Sequence, residues 1–101
     1  MTKEKMNELY EKSQEIVTMM EELGIKEYKG YILKSISSGT FLMLNNTCIS
    51  SSLSDTYIDD NLNKFMPAAS LEVMKQFEND ITNLIFVELF NTYLAFIQKI
   101  T

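Results

Sequence analysis

The sequence has no histidine, no arginine and no tryptophan, and it contains one cysteine, one proline and three scattered glycines. Without histidine, the chain lacks the commonest general base and a principal zinc ligand. The lone Cys48 builds neither a thiolate metal cage nor an internal disulfide. Three scattered glycines provide no glycine-rich loop to hold a phosphate. We therefore expect no enzymatic activity, no cofactor and no bound metal.

The positive charge of the chain comes only from nine lysines, against 14 acidic residues, and the net charge is −5. Nucleic-acid affinity depends mainly on phosphate contacts, for which arginine is the best-suited side chain. We therefore expect no direct binding to DNA or RNA. A single cysteine and the lack of a charged-then-apolar leader are typical of reducing compartments, so we expect a cytoplasmic protein.

The largest apolar segment lies in the last third of the chain, from Leu71 to Ile100. Within it, the stretch from Leu84 to Ile97 reads LIFVELFNTYLAFI, and only Glu88, Asn91 and Thr92 are polar. On a helix these three residues form one narrow polar stripe, and a helix that is apolar on all other sides must be buried. The stretch of 14 residues is shorter than the roughly 20 that span a bilayer. The sequence therefore predicts one long buried helix rather than a membrane span.

An amphipathic helix is predicted from Thr2 to Leu23. Thr2 is a suitable N-cap, and Gly24 supplies the left-handed residue that ends many helices. The inner positions follow the 3-4-3-4-3 spacing of a heptad seam. These positions are Met6, Leu9, Ser13, Ile16, Met20 and Leu23.

The opposite face of this helix carries an acidic stripe. It consists of Glu4, Glu8, Glu11, Glu15 and Glu22. Outer helix faces are routinely charged, so the first interpretation is a solvated surface, with Glu8 and Lys12 spaced for an i,i+4 ion pair. The alternative is that carboxylates about 5–6 Å apart imitate the phosphates of a nucleic acid. Spacing alone does not separate these interpretations.

The middle of the chain predicts strands. Residues from Tyr28 to Ile36 and from Phe41 to Leu44 are rich in β-branched and aromatic types, with a turn at Ser37-Ser38-Gly39-Thr40, which indicates a β-hairpin. Thr47 to Ile49 provides a short third strand after the pair Asn45-Asn46. A lone hairpin is marginal in water, so we expect it to pack on the helices.

These elements predict a single α+β domain over residues 1–101: an N-terminal amphipathic helix, a small antiparallel hairpin or three-strand meander, and a long hydrophobic C-terminal helix packed on it. Because these few elements cannot cover every side of the C-terminal helix, we expect part of its apolar surface to be exposed. Exposed apolar surface favours binding to a partner, and the simplest partner is a second copy in a homo-oligomer. The residues expected at this partner or oligomer interface are Phe86, Leu89, Phe90, Tyr93, Phe96 and Ile97.

By elimination, the sequence favours a small acidic protein that acts by binding another protein, as an adaptor, chaperone or inhibitor of the kind that phages and mobile elements encode. One alternative is a nucleic-acid mimic whose acidic stripe blocks a DNA-binding protein. A further alternative is a small membrane-associated protein. We expect the apolar residues to contribute more to binding than the glutamates, because aromatic anchors dominate interfaces and exposed charges contribute little.

Overall fold

The structure is a computed structural model that describes residues 2–36, 39–51, 57–58, 64–65 and 71–101. The elements in chain order are α1 (Lys3–Leu23), β1 (Glu27–Tyr28), β2 (Tyr31–Ile36), β3 (Gly39–Leu44), β4 (Thr47–Ser51), β5 (Tyr57–Ile58), β6 (Lys64–Phe65), α2 (Leu71–Thr82) and α3 (Val87–Ile100). Strands β1 to β4 form one antiparallel sheet in sequence order, and β5 pairs with β6. Helices precede and follow the strands, so the predicted α+β class is confirmed.

Helix α1 begins and ends where the sequence predicts. The Thr2 hydroxyl accepts a hydrogen bond from the Lys5 N–H at 3.2 Å, and Gly24 ends the helix in a left-handed conformation with φ 71°. The Ser13 hydroxyl is tolerated inside the seam because it donates to the Tyr10 carbonyl at 2.6 Å. The buried residues of α1 are Leu9, Ser13, Ile16, Val17, Met19 and Met20.

Two tight turns shape the sheet. Lys29-Gly30, between β1 and β2, and Asn45-Asn46, between β3 and β4, all have positive φ. This is the conformation of type I′ hairpin loops, which asparagine and glycine favour. The predicted hairpin is β2–β3 and the predicted third strand is β4. Strand β1 is not predicted, because the pattern around Lys29-Gly30 resembles one continuous strand; Ser37 and Ser38 lie outside the described residues.

The single long helix expected from Leu71 to Ile100 is wrong: α2 and α3 are separate helices that meet at a bend of 63°. The chain turns because Leu84 adopts a left-handed conformation with φ 62°. The Leu84 N–H donates to the Ile81 carbonyl at 3.2 Å, and the Ile85 N–H donates to the Asp80 carbonyl at 3.1 Å. These two bonds form a Schellman motif. Such a position usually holds glycine, so the apolar pattern gives no sign of the break.

Phe86, in the turn before α3, belongs to an aromatic cluster in the core. Its ring lies 5.9 Å from Tyr28, 5.0 Å from Tyr31 and 6.3 Å from Phe77, measured between ring centroids. Helix α1 packs on β2, β3 and β4, α2 packs on α1 and β4, and α3 lies beside α1. The buried apolar residues of the C-terminal segment end at Leu89, the one buried residue of α3, so most of α3 lies at the edge of the core.

Candidate functional site

Helix α3 is the most apolar of the described helices, yet it is poorly covered. Of its 14 residues, only Leu89 is buried. Tyr93, Phe96 and Ile97 are half-buried, and the remaining residues are exposed. Most of the apolar surface of α3 is therefore accessible to solvent in a single copy of the chain.

Four large apolar side chains line the turn before α3 and the outer face of the helix. The spacing from Val87 to Phe90 to Leu94 is i, i+3, i+7, which places the three side chains on one helical face. We call the four residues the apolar ridge. They are Leu84, Val87, Phe90 and Leu94, with exposed fractions of 69, 41, 49 and 40%.

The apolar ridge borders α1. A groove of about 180 Å³ separates the two helices near the start of α3. Further along, a hydrogen bond to the Glu22 carboxylate raises the pKa of the Tyr93 phenol. The apolar ridge and the acidic stripe of α1 are therefore neighbours on one surface. The groove is lined by Lys12, Glu15, Ile16 and Met19 of α1 and by Ile81, Leu84, Phe86, Val87 and Phe90.

All residues of the predicted acidic stripe are exposed, namely Glu4, Glu8, Glu11, Glu15 and Glu22. Two of them pair with lysines of the same helix: Glu8 with Lys5 at 3.6 Å, and Glu15 with Lys12 at 3.1 Å. The predicted i,i+4 pair between Glu8 and Lys12 is replaced by these i,i+3 pairs. None of the ion pairs in the described part of the chain involves the other three glutamates. Lysines therefore interrupt the negative charge of the stripe.

The structure divides the six residues predicted at an interface. Phe86 and Leu89 lie in the core of the chain itself, with 8 and 1% of their surface exposed, and Phe86 also lines the groove beside α1. Phe90 is on the apolar ridge. Tyr93, Phe96 and Ile97 are half-buried, and the rings of Tyr93 and Phe96 stack with centroids 6.5 Å apart. The structure therefore leaves one predicted residue fully on the surface and three at its margin.

Sequence reasoning missed Leu84, Val87 and Leu94. The predicted set includes Leu89 but omits Leu94, a residue of the same type, because the sequence alone does not show which face of α3 meets α1. The i, i+3, i+7 spacing of Val87, Phe90 and Leu94 could have identified this second face, because it runs beside the polar stripe that contains Asn91.

The core contains a buried polar cluster that is separate from the apolar ridge. The Tyr31 hydroxyl donates to one oxygen of the Asp80 carboxylate, and the Gln76 amide donates to the other at 2.8 Å. Burial and the bond to Asp80 raise the pKa of Tyr31 above its ordinary value. Because Tyr31 is fully buried and Asp80 nearly so, this group has no surface for a substrate. Its role is to join β2 to α2.

Neither a metal centre nor a simple membrane span is found in the described residues. No group of three or more histidine, cysteine, aspartate or glutamate side chains there is arranged to hold a metal ion. No single described helix has the length and composition to cross a bilayer. Helices α2 and α3 reach that length and composition only when they are taken together, and the two helices meet at a bend of 63°.

Comparison of the chain with protein families, with characterised proteins and with solved structures finds no match. Its function must therefore be inferred from its own surfaces. The apolar ridge beside the acidic stripe is the most distinctive of these surfaces.

Proposed function

We propose that this chain is a small, non-enzymatic cytoplasmic protein that binds another protein through the apolar ridge. The observation that carries the proposal is Leu84, which is 69% exposed and left-handed, with φ 62°. A non-glycine residue in this conformation costs about 1–2 kcal/mol, and an exposed leucine gains little from burial. Glycine would make the same turn with less strain. A partner that covers the side chain explains why a leucine is found here.

The rest of the apolar ridge supports the same proposal. Val87, Phe90 and Leu94 expose 41, 49 and 40% of their surface, next to Leu84. Contiguous apolar patches of this kind mark interaction sites more often than isolated apolar residues do. Apolar side chains at i, i+3 and i+7 are how a helix presents anchors to a partner. Phe90 supplies the aromatic anchor that typically dominates such an interface.

The alternatives are less well supported. A second copy of the chain is the simplest partner and would use the same apolar ridge. Nucleic-acid mimicry is weakened because lysines pair with Glu8 and Glu15 within the acidic stripe. Membrane insertion would require α2 and α3 to straighten from 63° and the buried Asp80 to leave the core. A protein partner requires neither change.

A photo-activatable amino acid at Leu94 tests the proposal in the native cell. Leu94 is on the apolar ridge and outside the core, so a substitution there is expected to leave the fold intact. Ile32 on β2 is a matched control, because it is apolar and 48% exposed. We expect a protein adduct from Leu94 that is not formed from Ile32. Identical adducts from both positions, or adducts from Leu94 with lipid alone, would contradict the proposal.

A further inference from the structure

We infer that the segment that occupies the apolar ridge is a cationic amphipathic helix of another protein. This inference rests on the proposed function and adds the chemistry of the partner. Two features of the same surface carry it. One is the helical spacing of the apolar ridge, and the other is the acidic stripe that runs along one side of it.

The shape of the surface fits a helix. Val87, Phe90 and Leu94 are followed by the half-buried Ile97, so the apolar positions repeat with the 3-4-3 spacing of a helical seam. The floor of the groove beside them includes Ile16 of α1. Two neighbouring helices with such a groove accept a third helix by packing its side chains between their ridges. An extended segment would instead need free backbone groups at a sheet edge, which the side of a helix does not offer.

The charge of the surface selects a cationic partner. On the α1 side, the acidic stripe places Glu15 in the wall of the groove and Glu22 beside Tyr93. Lys12 pairs with Glu15 at 3.1 Å, so the charges in the wall itself balance. The surplus negative charge on this side comes from Glu11 and Glu22, which are exposed and enter none of the ion pairs between described residues. On the other side of the apolar ridge, the exposed residues are mixed in charge, namely Lys29, Glu88, Asn91 and Lys99, so the surplus of carboxylates lies on the α1 side. A helix with lysine or arginine along one flank would therefore meet carboxylates along α1.

A second copy of the chain fits this surface less well. Each copy carries a net charge of −5, and a symmetric interface through the apolar ridge would bring both acidic stripes close to it. Like charges across an interface oppose association. Salt screens that repulsion, so self-association should strengthen as salt is added. Binding of a cationic helix should weaken under the same change, and the two occupants therefore differ in the sign of the salt effect.

The test uses two synthetic amphipathic helical peptides with the same leucine face. One carries lysine on the polar face, and the other carries glutamate at the same positions. Binding to the full chain is measured by fluorescence anisotropy at low and high salt. We expect the lysine peptide to bind at least about tenfold more tightly than the glutamate peptide and to weaken as salt rises.

Substitutions in the chain locate the binding. Phe90→Ser with Leu94→Ser should abolish binding of the lysine peptide, with Ile32→Ser as the control. Glu15→Gln with Glu22→Gln should weaken binding by about three- to tenfold, since each exposed charge contributes little. Glu27→Gln with Glu72→Gln makes the same change in net charge at exposed positions outside the groove, and it should leave the affinity unchanged. The urea midpoint of each variant shows whether it is folded, and Leu94→Ser alone replaces the double variant if that one unfolds.

Three results would overturn the inference. The first is that Glu27→Gln with Glu72→Gln weakens binding as much as Glu15→Gln with Glu22→Gln does, which would mean that the lysine peptide is attracted only by the net charge of the chain. If both peptides bind equally and both need Phe90 and Leu94, the apolar ridge binds helices without regard to charge, and the proposed function survives. If sedimentation shows a tight dimer that strengthens as salt is added and that the lysine peptide does not dissociate, the occupant is a second copy.

Discussion

Inside the core, the Tyr31 hydroxyl donates a hydrogen bond to the Asp80 carboxylate and so joins β2 to α2 across 49 residues of the chain. Gln76 holds the other carboxylate oxygen at 2.8 Å. A buried carboxylate is costly unless it is hydrogen-bonded. This pair therefore requires α2 to sit in one orientation on the sheet, which in turn positions the turn at Leu84 and the start of α3.

Replacement of Tyr31 by phenylalanine tests the importance of this bond. Tyr31→Phe removes a donor and leaves one oxygen of the buried Asp80 without its partner, so the free energy of unfolding should fall by about 1–3 kcal/mol. Tyr10→Phe, at a half-buried position of α1, should change it by less than about 0.5 kcal/mol. Urea unfolding of both variants measures the difference. Equal losses would mean that the bond to Asp80 contributes nothing.

The same bond predicts a loss of stability at alkaline pH. Burial and Asp80 raise the pKa of Tyr31 above its ordinary value of 10.0, so the folded chain retains the phenol proton after the unfolded chain begins to lose it. The unfolded state then binds fewer protons, and the free energy of unfolding decreases as pH rises above that value. Below it, the contribution is fully present. Urea midpoints measured across this range should fall more steeply for the wild type than for Tyr31→Phe, and identical slopes would contradict the prediction.

Leu84 is the position where a substitution should stabilise the chain. Leu84→Gly removes the left-handed strain and gives up little buried surface, so the free energy of unfolding should rise by about 0.5–1 kcal/mol. Leu84→Val should lower it, because a β-branched side chain resists positive φ. The same Leu84→Gly variant should bind its partner less tightly. A glycine variant less stable than the wild type would show that the leucine is not strained.

Two phenylalanines of the same segment should behave oppositely. Phe86 is 8% exposed and packs against Tyr28, Tyr31 and Phe77, whereas Phe90 is 49% exposed on the apolar ridge. Phe86→Ala should cost about 3–5 kcal/mol of stability, whereas Phe90→Ala should cost less than about 1 kcal/mol. Thermal and urea unfolding measure both. Similar losses for the two variants would place Phe90 in the core and remove it from the binding surface.

The sequence predicts the parts of the fold that depend on local chemistry. Helix α1 follows from a regular apolar seam with a threonine cap and a terminal glycine. The β2–β3 hairpin and β4 follow from β-branched residues. The break at Leu84 does not follow, because a leucine there violates the usual residue preference for that turn. Asp80 was also missed: it lies on the same helical face as Phe77, and only the position of Tyr31 in the folded chain explains a carboxylate there.

The candidate site was predicted only in part, for a physical reason. A helix that is apolar on nearly all sides predicts more apolar surface than the fold can cover. Which face of that helix stays exposed depends on where the neighbouring helix packs. Sequence reasoning placed Phe86 and Leu89 at an interface, whereas the fold uses both to fill its core. It placed the acidic stripe on the face of the N-terminal helix opposite to the apolar seam of that helix, with no predicted relation to the C-terminal helix. The packing of α3 beside α1 brings these two features together.

The most direct test of the central claim compares the apolar ridge with the acidic stripe. The partner identified through the Leu94 adduct is co-purified from the native cell with two folded variants. These are Phe90→Ser with Leu94→Ser, and Glu8→Gln with Glu11→Gln and Glu15→Gln. We predict that the ridge variant loses the partner by about 30-fold or more, since anchor residues contribute 2 kcal/mol or more, while the glutamine variant keeps it within about tenfold. Loss of the partner from the glutamine variant with retention by the ridge variant would contradict the account.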